Sequence, residues 1–154
     1  MRRFGERIVR GKLYRARPGI YAIIHDGRDL LITEQSDPMP EYQLPGGGID
    51  NNEHPIQALH REVLEETGWR IAIDRRLGVY QRFCFMPEYD LWARKICQIY
   101  VCRAVIQKSA PSEAGHSAIW ATPAAALRML DGQGDRHMLQ RWLRSELKLR
   151  MPCR

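Results

Sequence analysis

Apolar and polar positions divide the chain into short strands and a few helices. The run GIYAIIH, Gly19 to His25, reads as a first strand. Asp26-Gly27 is a hairpin turn signal, and RDLLITEQ follows as a second strand. SDPMPE is a proline-interrupted loop, and YQLPGGG is a short extended piece ending in a glycine turn. A helix is expected from Pro55, placed in the first turn where its missing N–H is harmless, to about Thr67. Gly68 is its natural C-cap. Strand-like residues continue from Ile71 to Phe85, broken near DRRLG, and MPEYDLWAR reads as a loop. Lys95 to Ile106 is apolar on both faces, which predicts a central strand covered on both sides. HSAIWAT is a further short strand. Thr122 can N-cap a helix with Pro123 at its first position, ending before DGQGD. A last helix, about Asp135 to Leu147, sets Met138, Trp142 and the Leu139–Leu143 pair at helical spacing. The order of strands, helix, strands and helices predicts an α/β fold with a mixed sheet between helical layers.

Length and composition add limits. The 154 residues suit one domain, 1–154, and no segment is long or polar enough to be a linker. With 44% hydrophobic and 27% charged residues the composition is that of a globular protein. No apolar run approaches the roughly 18 residues a membrane span needs. The basic N-terminal segment lacks the apolar core of a signal peptide, so a cytoplasmic protein with no membrane partner is expected. Residues 1–16 are expected to form a basic arm or strand. Cys84, Cys97, Cys102 and Cys153 form no C-x-x-C pair and read as small core residues. The net charge of +6 favours anionic partners without choosing among nucleotides, nucleic acid and phospholipid.

The helix from residue 55 carries the chemistry. At about 100° per residue, Ile56, Leu59 and Val63 form a core stripe, and Glu62, Glu65 and Glu66 form an adjoining acidic one. Arg61 lies beside the acids and can reach Glu65 at i+4. Like charges at Glu62 and Glu66 repel, and Glu65 and Glu66 sit where the helix dipole disfavours them. A wet surface tolerates such penalties. The alternative is a cation: Mg²⁺ takes oxygen ligands and binds substrate phosphates. The glycine turn beside the acids permits close backbone approach. Acids, glycine turn and basic charge together suggest metal-assisted chemistry on a phosphate substrate.

LPGGGIDNNEHPIQALHREVLEETGW, Leu44 to Trp69, resembles the Nudix box, G-x5-E-x7-R-E-U-x-E-E-x-G-U with U a bulky apolar residue. Gly47, Glu53, Arg61, Glu62, Val63, Glu65, Glu66, Gly68 and Trp69 fill its specified positions in order. Trp69 stands where an aliphatic residue is usual, and it remains apolar. The matches at fixed spacing make a specific signal. HSAIWATPAAALRML also looks like the family, with less specificity.

The resemblance implies a Nudix-type α/β/α sandwich and hydrolysis of a pyrophosphate bond in a nucleoside diphosphate linked to another moiety, X, with Mg²⁺ or Mn²⁺. It implies metal binding by Glu62, Glu65, Glu66 and the Gly47 carbonyl, with Arg61 orienting the glutamates. The general base is implied to be Glu62 or a later loop glutamate; Glu113 stands at that place, or is a solvated loop carboxylate. Tyr42, Arg17 and Arg82 are candidate substrate contacts, and Tyr89 and Trp92 further pocket candidates. The five histidines show no metal-ligand spacing and are expected on the surface or on helices. The expected substrate is a small nucleotide: a modified nucleoside triphosphate, an ADP-sugar or a dinucleoside polyphosphate. The second reading is removal of pyrophosphate from an RNA 5′ end, which the +6 charge would suit. A nucleotide-sensing module without turnover is the third, and the intact box argues against it. Monomer and homodimer both remain open.

Overall fold

A computed structural model describes residues 1–36 and 39–150, with the backbone alone at 149 and 150. Cys153 and the Asp37-Pro38 part of the loop after the second predicted strand lie outside the described residues. The element order is β1 (Arg2–Gly5), β2 (Arg15–His25), β3 (Leu30–Gln35), β4 (Glu41–Gln43), β5 (Gly46–Gly48), α1 (Pro55–Thr67), β6 (Trp69–Met86), a 3-10 turn (Pro87–Tyr89), β7 (Leu91–Gln107), β8 (His116–Ala121), α2 (Pro123–Met129) and α3 (Gln133–Arg150).

The strands form one 8-stranded mixed sheet in the order β1-β6-β7-β2-β3-β4, with β5 paired to β2 and β8 to β3. β2 runs parallel to β7, whereas β6 and β7 form a long antiparallel hairpin. Strand alternation sorts side chains between two cores. Ile20, Ala22 and Ile24 of β2 pack with Ala58, Leu59 and Val63 of α1. Ile23 faces the other way, among Ile99, Leu130, Met138, Leu139 and Trp142 on the α2/α3 side. The result is helices on both faces of a mixed sheet. Leu59 and Val63 have no exposed surface. Burial of each stabilises the docked helix by about 1.5–3 kcal/mol, and Leu59→Ala should cost about 2–5 kcal/mol.

Three expectations are corrected. The stretch 71–85 does not break at DRRLG: β6 is continuous, and register shifts at Arg70/Ile71, Ile73/Arg75 and Arg76/Gly78 absorb the irregular polar residues. MPEYDLWAR is not all loop. Only 87–90 turns, with Asp90 left-handed at φ 45, and Leu91 to Arg94 already pair with β6. β7 is central, between β6 and β2, but its end is bare: Val105 is 59% exposed and Ile106 47%. The basic segment forms β1, parallel to β6, and then re-enters the sheet at Arg15. Cys84, Cys97 and Cys102 are buried and unbridged, and burial pushes the Cys97 and Cys102 thiols up to about 12, which leaves them inert near neutral pH. No helix among the described residues is long and apolar enough to cross a membrane.

Candidate functional site

Local sequence fixes both ends of α1. Pro55 stands in its first turn, and His54 caps it, its Nδ1 accepting from the Ile56 amide at 3.2 Å. Gly68 ends it in the left-handed region at φ 73, its N–H donating to the Leu64 carbonyl at 2.8 Å. A Cβ at Gly68 would also strike the Ser109 carbonyl. The last-turn carbonyls of α1, which a helix leaves without partners, are met by the loop after β7. Ser112 and Glu113 donate their amides to the Glu65 carbonyl at 2.8 and 3.1 Å, and Lys108 donates to that of Gly68 at 2.8 Å. That loop therefore lays Glu113 over the acidic stripe of α1.

Arg61 braces the acids. Its Nε and Nη2 donate to both oxygens of Glu53 at 2.8 Å, its Nη1 donates to Glu62 at 2.7 Å and Glu65 at 3.3 Å, and its Nη2 reaches the Gly48 carbonyl at 3.3 Å. Glu53 was legible as a matching position and not as the brace's main partner. This guanidinium holds the Glu53 carboxyl down at about 2. Glu62 behaves oppositely: burial raises its pKa, against the pull of Arg61. Glu66 is the most enclosed acid. Its Oε2 accepts from the Gly46 amide at 2.9 Å, yet burial keeps its pKa well above the ordinary carboxylate range. Gly46 has φ 136, and a Cβ at Gly47 would collide with the Glu62 carboxylate. The glycines are thus required by close approach of backbone to acid, as well as by turn geometry.

Oxygens of Glu62, Glu65 and Glu113 lie within 4.8 Å of one another, and so do ligand atoms of Glu66, Glu113 and His116. Two of these acids are desolvated and under-compensated by protein donors. Their carboxylate oxygens are the donors a hard divalent cation takes, and Glu62, Glu65 and Glu66 fit one.

Glu62, Glu66 and Glu113 line a cleft of about 300 Å³ walled by Gly46–Gly48, Arg17, Tyr89 and Lys95. The Arg17 guanidinium lies over the Tyr89 ring, 5.4 Å from its centroid. A larger apolar hollow of about 590 Å³ lies between α2, α3 and the β2–β3 turn, away from the acids of α1. The cleft is the chemically equipped one.

The structure brings together Gly47, Arg61, Glu62, Glu65, Glu66, Glu113 and Arg17, but not Tyr42, Arg82 or Trp92. Tyr42 packs against the α2/α3-side core, and the next residue, Gln43, faces the cleft instead. Arg82 is level with Lys95 but one strand further out; it pairs with Glu41 at 3.5 Å and lines a separate hollow with Phe4 and Phe83. Trp92 packs against Tyr14 and Phe85. The histidines also need correction. His60 is exposed and His54 caps α1, but the His116 side chain is only 6% exposed, with Nε2 3.4 Å from Glu66 Oε1. No spacing rule could show this, because the sheet, not the local sequence, carries β8 to α1.

A family model described as NUDIX domain matches residues 15–142. Among curated relatives, a protein of Bacillus subtilis (strain 168) named putative 8-oxo-dGTP diphosphatase is 37% identical over 70 residues, covering 46% of each chain. One from Helicobacter pylori (strain ATCC 700392 / 26695) named RNA pyrophosphohydrolase is 44% identical over 57 residues, covering 34% of this chain and 37% of that one. The matched stretches thus span less than half of either relative. Among solved structures, a NUDIX hydrolase from Nitrosomonas europaea superposes with TM-score 0.69 at 18% identity, over 90% of this chain and 98% of that one. A MutT protein from Methanosarcina mazei Go1 gives 0.68 at 19%, over 86% and 96%. At such identities the structures establish the shared fold.

Proposed function

The chain belongs to the Nudix hydrolase family, and on that premise we propose that it hydrolyses a pyrophosphate bond in a small nucleotide, a nucleoside diphosphate linked to a further group. The observation that carries this reading is the carboxylate cradle of Glu62, Glu65, Glu66 and Glu113, braced by Arg61, with Glu62, Glu66 and Glu113 set against Gly46–Gly48 in one cleft.

Glu62, Glu65, Glu66 and the Gly47 carbonyl would hold Mg²⁺ or Mn²⁺. Bound there, such an ion supplies charge neutralisation for the pyrophosphate and a more acidic water. Arg61 fixes the rotamers of Glu62 and Glu65, so the cradle is formed before substrate arrives. Lys95 and Arg17 line the cleft and attract the polyphosphate. Tyr89, with the Arg17 guanidinium over its ring, offers a flat face at the rim for a base or sugar. Glu113 takes the proton of the attacking water. It is the acid of the group that no guanidinium or backbone amide bonds through its side chain among the described residues, and its side chain is 43% exposed.

A second reading, action on RNA 5′ ends, is favoured by the +6 charge and by the relative named RNA pyrophosphohydrolase. A panel of nucleotides and 5′-triphosphorylated RNA, assayed for phosphate and pyrophosphate release with Mg²⁺, separates the two. Release from small nucleotides supports the first reading, and release from RNA alone the second. Tight binding without release would contradict both.

A further inference from the structure

His116 has no part in the cradle described above, yet it is enclosed between two of its acids. Nε2 stands 3.4 Å from Glu66 Oε1, and both side chains are nearly sealed, 6% and 4% exposed. The other ring nitrogen, Nδ1, is 3.4 Å from the Ala114 carbonyl and 3.8 Å from Glu113 Oε1. The Ala114 carbonyl at 3.4 Å offers Nδ1 an acceptor, and the tautomer that uses it frees Nε2 to ligate. Nε2 is then left with a lone pair aimed at a carboxylate oxygen. In the metal-free protein a proton shared between Nε2 and the Glu66 carboxyl satisfies this contact, and a bound cation would take that proton's place. A metal-bound histidine has this arrangement: the distal N–H is given to a carbonyl or carboxylate, which fixes ring and tautomer, and the other nitrogen ligates. The separation agrees as well. With bonds of about 2.1 Å, neighbouring ligand atoms of a tetrahedral or octahedral ion stand about 3.0–3.4 Å apart.

We propose that His116 Nε2 and Glu66 Oε1 together form a nitrogen-containing divalent-metal position at the inner end of the cleft, adjacent to the all-oxygen position of Glu62 and Glu65. The inference rests on the reading of the acids as a metal cradle. An imidazole ligand favours first-row transition ions over Mg²⁺, which prefers oxygen. The inner position therefore selects Mn²⁺ and its heavier neighbours, while the outer one accepts Mg²⁺. Local geometry supports a built site. The ring is clamped at the start of β8, where His116 pairs with Gln35, and its amide donates to the Glu113 carbonyl at 3.3 Å. Glu66 is fixed from its other oxygen by the Gly46 amide at 2.9 Å.

The test is pulsed EPR on the full chain loaded with Mn²⁺, prepared with natural-abundance and with ¹⁵N-labelled histidine. Bound Mn²⁺ should show nitrogen modulation that changes with the histidine label. In His116→Gln, which keeps a donor for Glu66 but has no imidazole, the modulation should vanish and Mn²⁺ affinity should fall about tenfold or more. Mg²⁺ affinity should change far less. The labelled wild-type protein decides the matter even if the variant does not fold. Bound Mn²⁺ without histidine nitrogen modulation would overturn this proposal and leave the all-oxygen cradle standing. A protein that binds no Mn²⁺ would overturn both.

Discussion

Arg61 meets Glu53 through two sides of its guanidinium, Nε to Oε1 and Nη2 to Oε2, each at 2.8 Å. That leaves Nη1 for Glu62 and Glu65. One planar fork thus ties the loop before α1 to two acids on it, and a lysine cannot reproduce the geometry. Arg61→Lys should lower divalent-ion affinity about 10- to 100-fold and turnover by about two orders of magnitude. Its thermal midpoint should move little, since the side chain is 31% exposed and partly exposed ion pairs contribute little stability. Mn²⁺ titration and initial rates check this. Normal rates in the lysine variant would remove the brace from the account.

Glycine substitutions should separate close approach from turn geometry. A Cβ at Gly47 meets the Glu62 carboxylate, whereas one at Gly48 meets nothing within 4 Å. Gly47→Ala should therefore cut turnover by about an order of magnitude or more, equivalent to roughly 1.4 kcal/mol of barrier. Gly48→Ala should remain close to the parent rate. Equal rates for the two variants would show that the Glu62 rotamer does not matter.

Ionisation of Glu66 makes the metal-free protein depend on pH. Burial raises its folded pKa well above 4.5, so the native state holds this proton more tightly than the unfolded chain. The contribution to stability is fully present below 4.5 and is lost as pH rises from there through the folded value. Glu62 acts in the same direction, also through burial. In chelator, Glu66→Gln should therefore unfold at a higher temperature than the parent at pH 8, and the gap should close towards pH 4. Added Mn²⁺ should stabilise the parent more than the variant. Thermal melts across pH, with and without the ion, give the answer; a parent that outlasts the variant at pH 8 in chelator would contradict it.

The glycine turn is also held from the α3 side. Asp135 is buried, accepts from the Tyr80 hydroxyl at 2.6 Å and from the Leu44 amide at 3.3 Å, and so fixes the chain just before Pro45-Gly46. Tyr80→Phe removes a partner from a buried carboxylate and should cost about 1–3 kcal/mol in urea unfolding. A loss near zero would mean that Asp135 finds another partner.

The sequence made α1 legible to the residue, because Pro55, the apolar stripe and Gly68 are local signals. The acids and Arg61 were legible from fixed spacing. What stayed hidden depends on pairing between distant segments. His116 reaches Glu66 only because β8 pairs with β3 while the loop before it is bonded to the end of α1. Asp135 meets Leu44 because α3 packs on the face where the chain before the glycine turn runs, a contact between residues 91 apart. Tyr42 was misplaced because β4 is too short for its alternation to declare a face, and Arg82 because strand order, which decides which cation borders the cleft, is set by the parallel pairing of β2 with β7.

Metal-dependent cleavage of a pyrophosphate bond is the proposed task of these carboxylates. Phosphate and pyrophosphate release from a nucleotide panel should be measured for the parent, Glu65→Gln and Glu66→Gln, with Mg²⁺ and in chelator. The parent should release product with Mg²⁺ only, and both folded variants should lose most activity. Full activity in chelator, or near-parent turnover in both variants, would contradict it.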